Sequence, residues 1–455
     1  MFKNKSRSID MIDGPLLQNI ILFAVPLMLT QFLAILFNAA DTIVVGKFAG
    51  DLALAAVGAT GALCNLLVSL FNGLSMGTNV VIARLLGSND EDRVIKAVHT
   101  SLTIACIGGV ILALIGFFMS KPMLHLMATP DDIIDLSALY MRIYFIGTIP
   151  LVIYNFGAAI LRSKGDTKRP LFFLAFSGVL NVVLNLIFVI VFHMSVAGVA
   201  LATAISQAVA AVLVCKTLMN EEDATRLDLK KLAIDTHITL DILRIGIPAG
   251  IQSMVYSLSN VVIQSSINSF DSSVIVAGNS AGGNIEGFVY IGLFGFSNAA
   301  ITFTSQNVGA KRYERIKKIM YTTLLLVLIF GSTLSFGVCY FGEFFLSFYT
   351  NEPLVVEVGM IRLLYVAGPL VLNGILDIFV SSLRGMGYST LPTILMLLGI
   401  CGVRLTWIWN VFPLHRTLET IYLCYPLSWT ITGLILAVLW YFSHKKLLRN
   451  AAVGC

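Results

Sequence analysis

Long apolar stretches, broken by short polar ones, run the length of the chain. Crossing a bilayer as a helix takes about 20 apolar residues. Twelve stretches reach that length: 16–46, 53–83, 98–119, 135–161, 171–192, 196–219, 241–269, 274–305, 319–342, 357–383, 391–413 and 420–442. The pattern predicts an all-α integral membrane protein of twelve transmembrane helices, because a helix closes its own backbone hydrogen bonds where no water can. Pro26, Pro150, Pro248 and Pro369 fall inside the runs and are expected kinks. The longest polar stretch, NEEDATRLDLKKLAIDTHITL (220–240), lies midway. It separates an N-lobe (1–219, helices one to six), a linker (220–240), and a C-lobe (241–455, helices seven to twelve with a short basic tail).

The two halves are copies. A shift of 222 positions carries Pro26 onto Pro248, Gly73 onto Gly295, Ser75 onto Ser297 and Gly87 onto Gly309. The same shift lays LRSKGDTKRP (161–170) on LRGMGYSTLP (383–392). Coinciding Pro, Gly and Arg at helix ends weigh more than apolar identities in so apolar a chain. Six helices per copy is an even number, so the copies keep one orientation. Such a parallel repeat is a transporter design, with the substrate path at the repeat interface.

Composition and charge agree. Of 455 residues, 57% are hydrophobic and only 12% charged, about half the charged share of a soluble domain. A soluble enzyme is a poor fit. The net charge of +5 is no nucleic-acid signature, because the basic residues sit in short loops. With the N-terminus inside, 24 Lys and Arg fall on the cytoplasmic side and 5 (Lys47, Lys121, Arg142, Arg362, Arg416) on the other. That bias orients both termini to the cytoplasmic side of the membrane. The polar N-terminal segment is followed by an apolar run too long for a signal-peptide core, so the run is expected to stay as the first helix. The seven cysteines, Cys455 among them, show no paired spacing and read as small apolar fillers. No cofactor motif is present: GxxxxGK[ST], HExxH and GxSxG are all missing from the sequence. The six histidines fall in loops or near span ends, which leaves an intramembrane enzyme without a metal-ligand or nucleophile–base set.

Ionisable and polar residues at membrane depth are the functional candidates. Asp41 lies in the outer part of the first run with no cation nearby in sequence. Asn181 and Asn185 share one face of the fifth helix, and Thr203 lies in the sixth. With Asp41 they could supply the hard oxygen ligands of a cation site (Asp41, Asn181 and Asn185 as Na⁺ ligands) or simply bond helix to helix. The second copy has Ile263 opposite Asp41, and carries instead Glu286, Asp377 and Arg404. Glu286 and Arg404 sit at similar depth, so an ion pair between them competes with a substrate or proton role. Asn155 is the repeat partner of Asp377 and joins the candidate cavity set. Gln252, Tyr256, Asn260 and Gln264 form a polar stripe along the seventh helix that is expected to face a cavity.

Several segments carry a family likeness: FNAADTIVVGKFAG (37–50), the LRSKGDTKRP/LRGMGYSTLP pair, NIEGFVY (284–290) and TFTSQNVGAKRYERIKK (302–318). Over essentially its whole length the chain resembles the bacterial branch of the multidrug and toxic compound extrusion (MATE) family. The resemblance implies a V-shaped, two-lobed fold that alternates between outward- and inward-facing states. It implies a monomeric antiporter in the lipid bilayer, exporting amphiphilic, often cationic compounds in exchange for Na⁺ or H⁺. It also assigns Asp41, Asn181, Asn185 and Thr203 to an N-lobe cation site, where Asn185 replaces an Asp found in some members. A lipid-linked oligosaccharide or lipid flippase of the same superfamily is the alternative. Such a flippase is expected to bring more cationic residues to its cavity than the single Arg404 counted among the candidates.

Overall fold

The computed structural model of the chain describes residues 9–127 and 129–453. Those residues are almost wholly helical, and no strand occurs among them. Among the described residues, eleven single helices are long and apolar enough to cross a membrane, and one bent pair makes a twelfth when counted as one span. In chain order they are α1 (Leu16–Ala49), α2 (Asp51–Gly87), α3 (Glu91–Leu126), α4 (Asp131–Ile146 with Thr148–Ser163), α5 (Lys168–Val191) and α6 (Ser195–Met219). The second six are α7 (Thr236–Asn268), α8 (Ser273–Gly309), α9 (Tyr313–Tyr340), α10 (Pro353–Gly385), α11 (Thr390–Asn410) and α12 (Leu418–Asn450). The protein is therefore the all-α, multi-pass membrane protein that the apolar pattern predicts. The least apolar spans are α7 and α8, at a mean hydropathy of 1.3 against 2.5 for α1. Both line the polar cavity described below.

The proline expectations resolve differently at each site. Helix continues through Pro26 in α1 and through Pro248 in α7. In α4 the 42° bend falls at Gly147, and Pro150 comes in the first turn of the second half, where its missing N–H costs nothing. The equivalent place in the second copy, position 369, is also a break: a π-helical turn (Leu363–Ala367) leads into a turn at Gly368 and Pro369. The sharpest sequence match ends on a shared conformation as well. Gly165 and Gly387 sit at φ +92° and +98°, left-handed backbone that glycine adopts without strain and that stops a helix.

The chain forms two compact units. Among the described residues, unit 1 comprises residue 9 and residues 29–250, and unit 2 comprises residues 10–28 and 251–453. The divisions fall just after Pro26 and Pro248, so each unit takes in the first part of one helix from the other sequence half. Two glycines make this possible. A Cβ on Gly73 of α2 would lie 2.7 Å from the Gly250 Cα, on backbone that cannot yield. A Cβ on Gly295 of α8 would lie 2.7 Å from the Ala24 carbonyl oxygen and from Met28 Cγ. Each helix pair is the 222-residue image of the other, which explains why the glycine recurs. Gly73→Ala is expected to cost about 1–3 kcal/mol by overpacking. Gly58→Ala, with open space around it, is expected to be neutral or to stabilise by up to ~1 kcal/mol. Equal thermal midpoints for the two variants in detergent would refute this packing.

The segment after α6 is no free tether within unit 1. Lys164 of the LRSKGDTKRP loop reaches Glu221 at 2.5 Å and Asp223 at 2.7 Å, and Arg169 reaches Glu221 at 2.5 Å. The Asp228 backbone N–H donates to His99 Nε2 at 3.1 Å, and the Asp235 N–H donates to Thr100 Oγ1 at 3.0 Å. Burial pushes the Asp223 carboxyl up, but hydrogen bonds from Lys164 and Thr225 outweigh it and hold the group below the ordinary carboxylate value. A depressed carboxyl pKa stabilises the folded arrangement above the unfolded value of about 3.9, and that contribution is lost as pH falls through the lowered folded value. Proteolysis within 220–235 should accordingly stay slow from neutral pH down to about 4 and quicken below it. At neutral pH, Lys164→Met should speed cleavage about fivefold, the equivalent of ~1 kcal/mol for a partly exposed network.

Candidate functional site

Unit 1 gathers four of the sequence candidates into one chain of hydrogen bonds. Asn185 Nδ2 donates to Asp41 Oδ1 and, at 3.3 Å, to Asn181 Oδ1. Asn181 Nδ2 donates to Thr203 Oγ1 at 3.3 Å, and the Thr203 hydroxyl donates to the Val199 carbonyl at 3.0 Å. The i, i+4 spacing on α5 places both amides on the face that meets α1 and α6. Asn181 and Asn185 are buried, and Asn185 Oδ1 has no hydrogen-bond partner among the described residues. An orphaned buried acceptor is costly, and one beside a carboxylate is a ready ligand for a cation. Carboxylate, two amide oxygens and a hydroxyl make an oxygen-only donor set that fits a hard monovalent ion. Val44, Val45, Val189 and Val199 belong to the apolar cluster that closes around this end of the unit.

Unit 2 holds a polar cavity of about 420 Å³, with an adjoining one of about 160 Å³ that shares Asn260, Glu286, Arg362 and Tyr425. The stripe on α7 faces them: Gln252, Tyr256 and Asn260 line the larger and Asn260 and Gln264 the smaller. Glu286 of α8 pairs with Arg362 of α10, whose Nη2 and Nε donate to Glu286 Oε2 at 2.7 and 3.1 Å. Arg362 Nη1 donates to Asn279 Oδ1, which also accepts from the Tyr422 hydroxyl at 3.0 Å. Among the described residues, Asp377 receives a single long bond, 3.5 Å from the Tyr290 hydroxyl. Arg404, 2% exposed, donates through Nε to Ser428 Oγ at 3.1 Å and lies 4.2 Å over the Tyr425 ring.

Three sequence expectations change. Glu286 does not pair with Arg404; its partner is Arg362, which the charge count assigns to the non-cytoplasmic side. Partner choice depends on how each helix is rotated about its axis, which the spacing of residues along the chain leaves open. Arg362 is thus the residue that sequence reasoning missed, and its place at the edge of an apolar run was the available signal. Arg384, counted as a loop cation, is buried and donates to Gln252 at 2.6 Å. Asn155 does not line the unit 2 cavity: it lies in unit 1, where it donates to Asn72 Oδ1 at 3.1 Å. With Asp41 in unit 1 and Arg362 in the cavity, the unit 2 lining holds two carboxylates and two arginines rather than a carboxylate excess. The six described cysteines are free, and Cys455 lies outside the described residues.

The two sites occupy equivalent places in the two copies. The 222-residue shift sets Ile263 opposite Asp41, Tyr425 opposite Thr203, and the pair Glu286–Arg362 opposite Cys64 and Tyr140. Each site also abuts π-helical turns. Asp41 precedes the turn Val45–Ala49, and Asn185 precedes Ile187–Val191. Arg362 immediately precedes Leu363–Ala367, and Arg404 comes just after Leu397–Gly402. A π turn adds a residue to a helix turn, rotates the residues beyond it, and is frequent at functional sites.

The MatE family model matches the chain twice, over residues 26–187 and again over 248–408. The chain belongs to the MatE family. The two matches begin 222 residues apart, so the family unit is the repeat itself. This MatE protein is 27% identical over 434 residues to the probable multidrug resistance protein YoeA of Bacillus subtilis, covering 93% of each chain. It is 26% identical over 365 residues to a FAD transporter of Shewanella oneidensis, covering 76% of this chain and 77% of that one. Among solved structures, an outward-facing multidrug resistance MATE family transporter of the MOP superfamily superimposes with a TM-score of 0.91 at 20% identity, over 98% of this chain and 100% of that one. That likeness is one of fold. The MatE relatives are transporters.

Proposed function

We propose that this protein is a secondary active multidrug exporter that passes amphiphilic, often cationic organic compounds outward in exchange for Na⁺ or H⁺. The observation that carries the reading is the Asp41–Asn185–Asn181–Thr203 chain, with the unpartnered Asn185 Oδ1 beside the carboxylate. Asn185 presents its amide nitrogen to Asp41, and a half-turn of the amide presents its oxygen instead. The pair therefore suits a bare carboxylate in one state and a bound cation in the other. Binding of the ion changes the bonding of α1 just before the π turn at Val45–Ala49. Coupling then requires only that the ion and the cargo prefer different conformations. The relatives named multidrug resistance proteins support export of drugs over lipid flipping. The basic loops support an orientation with both termini in the cytoplasm at the bacterial plasma membrane. The test is export from proteoliposomes under a Na⁺ gradient at matched pH, and under a pH gradient without Na⁺. Cargo movement indifferent to both gradients would overturn the reading.

A further inference from the structure

We infer that the end of unit 2 where α9 begins and α12 ends is a binding site for an anionic phospholipid, its phosphodiester among the basic side chains and its acyl chains along the outer faces of the two helices. The site is independent of the coupling ion and the cargo. The turn into α9, AKRYERIKK (310–318), carries Lys311, Arg312, Arg315, Lys317 and Lys318. The end of α12 adds Lys445, Lys446 and Arg449. His444 Nε2 lies 3.1 Å from the Tyr313 carbonyl oxygen, which sets the two basic ends side by side. Asp10, Asp13 and Glu314 lie among them, too few to balance eight cations. Among the described residues only Arg312 of the eight forms an ion pair, at 3.5 Å to Asp13, with the two side chains 61% and 71% exposed. Lys311, Arg312, Arg315 and Lys318 line a cavity of about 320 Å³ with Asp13.

Neither the fold nor the orientation in the membrane demands this charge, because the same corner of the first copy is acidic. The 222-residue shift sets Arg312, Tyr313 and Glu314 on Asp90, Glu91 and Asp92, and Ser443, His444 and Lys445 on Glu221, Glu222 and Asp223. Of the eight cations, only Arg315 and Lys318 have a basic counterpart, Arg93 and Lys96. The turns themselves match: Asn89 and Lys311 both hold left-handed backbone, at φ 53° and 56°. Asp90 caps α3 by accepting from the Arg93 N–H at 3.2 Å, whereas Arg312 holds that place before α9 and gives no side-chain cap. The second copy thus forgoes a stabilising cap for positive charge. Glu221 and Asp223 are engaged by Lys164, whereas the exposed Lys445 and Lys446 form no ion pair among the described residues. The apolar surface beside the cations fixes the ligand class. Tyr321, Leu325 and Ile329 follow Lys317 at four-residue steps on α9, and Phe442, Val438 and Leu434 precede Lys446 at the same steps on α12. All six are more than half exposed, and the spacing puts each set along one side of its helix. Lys317 Nζ lies 5.9 Å over the Tyr321 ring. A lipid-facing stripe that ends in lysine marks the level of the headgroups. Basic clusters at that level attract anionic lipids. A soluble phosphate would meet the cations but leave the stripes unused.

The test is native mass spectrometry of the purified full-length protein in detergent, titrated with phosphatidylglycerol and with phosphatidylcholine of the same acyl chains. Wild-type protein should bind the anionic lipid about tenfold more tightly or better. Combining Lys317→Gln, Lys318→Gln and Lys446→Gln should lower that ratio to about threefold or less, with the thermal midpoint unchanged. Lys→Arg at the same three positions should keep the ratio. So should the combination of Lys216→Gln, Lys230→Gln and Lys231→Gln, which removes the same charge from exposed positions of unit 1. Three results would each overturn the inference: equal affinities for the two lipids in wild type, an unchanged ratio in the unit 2 Gln variant, or an equal loss in the unit 1 variant. Were the unit 2 Gln variant to unfold, the wild-type comparison and the unit 1 variant would still decide. Glycerophosphoglycerol, the headgroup without its chains, should not displace bound lipid even in large excess. Displacement would make the ligand a soluble phosphodiester and overturn the lipid assignment.

Discussion

Asp41→Asn should abolish gradient-driven export while leaving a folded protein. Asparagine has the shape of aspartate, so the bond to Asn185 can be kept as an amide–amide contact and the α1–α5 packing is undisturbed. What disappears is the only formal charge in the hydrogen-bonded chain. Removing the charged partner of a buried polar contact costs about 2–5 kcal/mol, so affinity for the coupling ion should fall roughly 30-fold or more. A proton has no other carboxylate in the chain to occupy. The thermal midpoint in detergent should stay close to that of the wild type, which separates coupling from folding. Asn185→Leu then separates the ions: Na⁺-driven export needs the amide oxygen as a ligand, whereas proton-driven export needs only the Asp41 carboxylate. Wild-type gradient dependence in Asp41→Asn would remove Asp41 from the coupling role.

Glu286→Gln should destabilise unit 2 more than any other single polar substitution in the cavity. The pair is largely shielded from solvent, with side-chain exposures of 17% for Glu286 and 12% for Arg362. Removing one partner of such a pair leaves the other charge unbalanced and costs about 3–5 kcal/mol, whereas replacing both is often tolerated. A lowered thermal midpoint is therefore expected for Glu286→Gln, with substantial recovery when Arg362→Met is added. The double variant also reads function. If export recovers with stability, the pair is a strut that shapes the cavity; if stability returns and export does not, one of the two groups meets the cargo. Additive effects of the two substitutions would show that the pair carries no coupling energy.

The two sites show how far a sequence can be read. Asp41, Asn181, Asn185 and Thr203 were legible as candidates because polar residues in an apolar run stand out, and a four-residue spacing puts the two amides on one helix face; that they meet in one chain was decided by how α1, α5 and α6 pack. The stripe Gln252–Tyr256–Asn260–Gln264 was legible for the same reason, and it lines the cavity. The partner of Glu286 was not. Choosing Arg362 over Arg404 depends on how α10 and α11 are rotated about their axes, and one residue of helix turns a side chain by about 100°. The π turns beside both arginines alter that rotation and leave no mark in the hydropathy pattern.

The sequence by itself determined the membrane class, the twelve spans and the 222-residue repeat. These arise from constraints that act locally: each segment in hydrocarbon must satisfy its own backbone, and each special turn needs its glycine. It also determined that buried charge differs between the copies, since Ile263 replaces Asp41. Only the tertiary structure decided where those charges went. It placed the first part of α1 in unit 2 and of α7 in unit 1. It also joined Glu286 to Arg362 and set Arg404 among aromatic rings, with no carboxylate paired to it among the described residues. Those outcomes depend on helix rotation and on the packing of segments hundreds of residues apart, to which no local rule of composition or spacing is sensitive.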